Sequence, residues 1–93
     1  MEHLGSKGGS GTRGAVSGNP ENLLELGLIH ATGRGGKADP VLAHKWFNLA
    51  AYRGCDAAKA HREQLAAEMT AAQIAAAQRA AREWMTSHQP QMA

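Results

Sequence analysis

The side chains with the most chemistry available to them in this 93-residue sequence are five histidines and the single Cys55, and only His44, Cys55 and His61 fall near enough together to suggest a site. A zinc site built on helices uses two histidines at i and i+4, a Cys-x-x-Cys pair or a His-Glu-x-x-His run, because those spacings aim the ligands at one point. None of these patterns occurs, so no metal is expected. Cys55 sits between Gly54 and Asp56, where a helix N-terminus would stabilise a thiolate and a Cys–His nucleophile can be drawn. No oxyanion donor or third partner accompanies it. Cys55 therefore reads as a small, half-buried residue at a helix junction, and the chain as non-enzymatic, with no catalytic residues and no cofactor.

Gly33-Arg34-Gly35-Gly36-Lys37 resembles a phosphate loop only superficially. A P-loop needs glycine five residues before its Gly-Lys pair, Ser or Thr after it, and a preceding strand. Here those positions hold Ala31 and Ala38, and a helical pattern precedes them. A single Arg-Gly-Gly without interleaved aromatics is equally thin evidence for RNA. The stretch is better explained as a turn in which glycines supply positive φ.

Lys45, Arg53, Lys59, Arg62, Arg79 and Arg82 scatter over three predicted helices, as on a solvated face. A formal charge of +2, with 19% charged residues, does not demand a nucleic acid or an anionic membrane as partner. One cysteine excludes an internal disulfide and suits a reducing compartment, and no apolar run has the length of a signal-peptide core or of a membrane span. A cytoplasmic setting is expected unless a signal has been removed.

Elements to position these side chains are written most fully in Asp39–Gly54. Asp39 caps, Pro40 presets φ at the first helical position, and Gly54 offers the left-handed conformation that ends a helix. Between them Ala43, Trp46, Phe47, Ala50 and Ala51 form one apolar stripe at i, i+3, i+4, i+7 and i+8. Asn19-Pro20-Glu21 repeats the same opening, so a helix is predicted over Pro20–Ala31, apolar almost all round. Gly27 in its middle costs about 1 kcal/mol relative to alanine, which points to a backbone of the Asp39 helix passing close by. Asp56 is predicted to cap a third, thinner helix with Ala58, Leu65 and Met69 at apolar positions. Thr70 and Gln73 form a capping box for a fourth helix ending near Thr86, with Ile74, Ala77, Ala81 and Trp84 on one stripe. The expected fold class is all-α, a short array of about four helices in hairpins of α-solenoid type. Residues 1–18, with six glycines and three serines, read as a disordered tail, 19–86 as the helical domain, and 87–93 as a frayed end. A domain of this size gains only a few kcal/mol from its core.

From Leu26-Gly27 through His30, Gly33, Gly35, Asp39, Ala43, Trp46-Phe47, Ala50-Ala51 and Gly54 to Ala58, the chain resembles the Sel-one-like repeat, a relative of the tetratricopeptide repeat. His30 stands where that family usually has an aromatic, Gly36 where it has an aliphatic, and Arg62-Glu63 where a second repeat would begin with Leu-Gly. The resemblance therefore implies one complete repeat, a degenerate half, and a capping helix. It also implies a protein-binding scaffold with no catalytic residues to carry over. Related solenoids turn the first-helix face to their ligands, which here is Glu21, Leu24, Leu28 and Thr32.

The expected function is thus a protein-interaction module or small adaptor that holds a helix or extended segment of another protein, or pairs with itself. So short an array would gain stability from a partner or from self-association. A small nucleic-acid-associated protein, using the scattered cations and the Gly33–Lys37 loop, is the alternative; steep salt dependence of binding would distinguish it.

Overall fold

The computed structural model describes residues 19–34 and 36–88. The expectations for the tail 1–18, for Gly35 and for 89–93 lie outside the described residues. Four helices follow in order, α1 (Pro20–Thr32), α2 (Pro40–Tyr52), α3 (Asp56–Ala66) and α4 (Ala71–His88), and there is no strand among the described residues. The fold is all-α.

Local chemistry sets most of the ends. The Asn19 side-chain oxygen accepts from the amides of Glu21 and Asn22 at 2.8 and 3.3 Å, and that of Asp39 accepts from Leu42 at 3.1 Å. Each satisfies donors that the first helical turn leaves orphaned. α1 closes on Gly33, at φ 78°, whose amide donates to the Ile29 carbonyl at 3.0 Å. α2 closes in a Schellman motif on Gly54, the residue expected to end it. Arg53 is the C-cap, the amide of Gly54 (φ 102°) donates to Ala51, and that of Cys55 donates to Ala50, both at 3.0 Å.

That closure also corrects the start of α3. Cys55, extended at φ −87° and ψ 103°, is the N-cap and makes no side-chain cap bond. Asp56, expected as the cap, is the first helical residue and acts there through the helix dipole. At α4 the reciprocal capping box forms as expected, with the Gln73 amide donating to Thr70 Oγ1 at 3.1 Å and the Thr70 amide to Gln73 Oε1 at 2.9 Å. α4 continues two residues past Thr86. Ser87 Oγ donates to the Glu83 carbonyl at 3.1 Å, and the His88 ring stacks on Trp84 at 4.2 Å, 8° from parallel.

α2 is the centre of the molecule and packs against α1, α3 and α4. Of its expected stripe, Ala43, Trp46, Phe47 and Ala50 are buried and Ala51 is half-buried. Leu49 and His44, which lie off that stripe, are buried as well, because neighbours cover α2 on more than one face. Trp46 meets Trp84 of α4 edge to face at 5.8 Å, and Leu23, Leu49, Ala50, Ala58 and Ala81 complete the same cluster. Leu24, Leu26 and Ala51 pack against it from the side.

The close neighbour of Gly27 is a side chain rather than the expected backbone. A Cβ placed there would lie 2.4 and 2.5 Å from Cδ1 and Cε1 of Phe47. Glycine lets the Phe47 ring occupy the α1–α2 seam.

Candidate interaction groove

Several consequences of this packing meet at one open cavity of about 290 Å³. Leu28, Ala31 and Thr32 from the last turns of α1 form one wall. His61, Gln64 and Leu65 of α3, followed by Glu68, form the other, and Phe47 of α2 lies between them. The His61 ring stacks on Phe47 with centroids 5.2 Å apart and planes 19° apart, so the ring that fills the Gly27 gap is also covered from α3. The Thr32 hydroxyl donates to the Leu28 carbonyl at 2.8 Å, which spends its donor on its own helix. The surface left is mainly apolar, with Gln64, Glu68 and His61 as its polar groups.

The four residues singled out from the first-helix face divide. Leu28 and Thr32 line this groove. Leu24 packs against the Trp46–Trp84 cluster, and Glu21 lines a separate depression with Asn19, Pro20, Gly54 and Cys55. The α3 wall was not anticipated as part of a site. His61 and Leu65 stand at i and i+4 on one face of α3, a spacing legible in the sequence, and Glu68 lies in the turn that follows the helix.

His44, Cys55 and His61 have three different surroundings. His44 is buried, and its Nδ1 makes no hydrogen bond among the described residues. Burial first, and then the Arg62 charge, hold its pKa below the ordinary histidine value. Arg62 itself donates to Asn48 Oδ1 at 2.8 Å. Cys55 lines the depression beside Asn19, and His61 covers Phe47 in the groove. Among the described residues no three His, Cys, Asp or Glu side chains are placed to hold a metal ion.

Several of the scattered cations are engaged with the protein. The Lys45 ammonium lies 4.3 Å over Trp46, and burial lowers its pKa against the opposing pull of Glu83. The Arg53 guanidinium lies 5.8 Å from the Trp84 ring centre, and Arg34 pairs with Glu25. Lys59, Arg79 and Arg82 are exposed. The Gly33–Lys37 segment takes positive φ at Gly33 and Gly36, the role expected of a glycine-built turn. No helix among the described residues is long and apolar enough to cross a membrane. Compared with family models, with curated proteins and with solved structures, the chain matches none of them.

Proposed function

We propose that this chain is a non-enzymatic protein-interaction module whose α1–α3 groove receives a segment of another protein. The observation that carries this reading is the apolar groove itself: half-buried Leu28 and Leu65 face a common opening, with Phe47 and its His61 cover beneath, that none of the described helices fills. An amphipathic helix laying its apolar side chains into such a groove is a recurring mode of peptide recognition. The Sel-one-like resemblance in Leu26–Ala58 supports the same reading. So does the pairing of Gly27 with Phe47, which gives those two positions of the motif a packing role. As an adaptor of this family the chain would use its helices as a rigid frame and draw added stability from what it binds.

A peptide or protein bound in the groove should be lost on Leu28→Glu or Leu65→Glu, since a carboxylate in a dry interface costs several kcal/mol, enough to abolish a micromolar complex. Both leucines are half-buried, so each variant has to retain the parent's helical circular dichroism. Folded variants of both walls that bind the partner unchanged would move the site away from this groove.

A further inference from the structure

Resting on the groove reading above, the chemistry of the occupant can be narrowed. α1 ends at Thr32 and α3 at Ala66, and the last turns of both helices line the same cavity. A helix C-terminus carries a partial negative charge of about half a unit, which a basic residue in the last turn normally offsets. α3 has no basic residue in its last turn, and the exposed carboxylate of Glu68 stands just beyond it on the groove wall. In α1 the last-turn base is His30, which does not line the groove, and the following Arg34 is paired with Glu25. Among the described residues neither lysine nor arginine lines the cavity, and His61 is the one basic side chain in it.

The C-terminus of α3, with no base in its last turn, and the Glu68 carboxylate therefore border an apolar opening between Leu28 and Leu65. We infer that the groove selects a peptide segment in which a large apolar side chain is flanked by lysine or arginine. The apolar side chain lies between Leu28 and Leu65, above the His61-covered Phe47 ring, and the cation lies toward Glu68 and the C-terminus of α3. Charge of this kind selects among apolar ligands more than it adds to their affinity.

The test is a selection with the full chain. A display library of random peptides of about fifteen residues, long enough for a helix or an extended segment to cross a groove, is enriched on the parent protein. It is then depleted on whichever of Leu28→Glu or Leu65→Glu keeps the parental circular dichroism. The surviving peptides should be rich in Lys or Arg beside Leu, Phe or Trp. Their affinity should fall about tenfold on Glu68→Lys, an exposed and fold-neutral change, and should weaken from about 50 mM to about 500 mM salt.

Survivors that are neutral or acidic, with affinity unmoved by Glu68→Lys, would overturn the charge inference and leave the groove reading intact. No survivors after depletion would overturn the groove reading and this inference with it. A concentration-dependent mass in light scattering that Leu28→Glu abolishes would make a second copy of the chain the occupant, and would overturn the peptide assignment.

Discussion

Gly27→Ala ought to destabilise this protein, although the same change at an exposed helical site would stabilise it. The added methyl carbon would lie 2.4 Å from Cδ1, 2.5 Å from Cε1 and 3.1 Å from Cγ of Phe47. Ordinary carbon contacts are about 3.5 Å or more, so the ring or the helix has to retreat by about 1 Å. Phe47 is 1% exposed and has His61 stacked on it, which leaves the ring no solvent to turn into. Overpacking of this kind costs about 1–3 kcal/mol, while the better helix propensity of alanine returns about 1 kcal/mol, for a net loss of up to about 2 kcal/mol. For a domain of this size that corresponds to a fall of up to about 15 °C in Tm, read by circular dichroism. The decisive arm is a Phe47→Leu background, where the clashing ring is gone. There Gly27→Ala should be neutral, or stabilising by up to about 1 kcal/mol. An increase in Tm for Gly27→Ala alone, or an equal loss in both backgrounds, would refute the close contact between α1 and the ring.

The same packing has further consequences. The depressed pKa of His44 means that the folded chain binds fewer protons than the unfolded chain below the ordinary histidine value of 6.5. Its contribution is complete above that value, lost as the pH falls below it, and constant again once the pH passes under the folded-state pKa. Urea midpoints from about pH 7.5 to about pH 5 should decline in the parent and decline less in His44→Leu, which gives up no hydrogen bond at Nδ1. Thr70→Ala should cost about 1 kcal/mol by removing the acceptor for the Gln73 amide, and a Tm equal to the parent's would show that the capping box is idle. Leu49→Ala should cost about 2–5 kcal/mol and Trp84→Ala about 3–5 kcal/mol, both measured by urea unfolding. Losses under 1 kcal/mol at both positions would mean that the α2–α4 cluster is not the main core.

What the sequence by itself determined is what neighbouring residues decide among themselves. Asn19, Asp39 and the Thr70–Gln73 box mark three helix starts, and Gly33 and Gly54 mark two ends, because the hydrogen bonds and φ values involved span a few residues. The stripe from Ala43 to Ala50 marked one buried face of α2 for the same reason, since 3.6-residue periodicity is a local property. Which other face of α2 would also be covered was not local. The burial of Leu49 and His44 depends on where α3 and α4 return along the chain.

The start of α3 moved to Asp56 because the Schellman closure of the preceding helix consumed Cys55, a competition that the acid alone does not reveal. The candidate site was half legible. Leu28 and Thr32 could be placed on an α1 face, but Leu24 on that face belongs to the core, and the opposing wall of His61, Leu65 and Glu68 becomes a wall only when α3 folds back beside α1. The convergence of two helix C-termini on one apolar opening is likewise a product of tertiary packing. Each dipole is written into its own helix, but their meeting at one cavity is set by how α1 and α3 pack against α2.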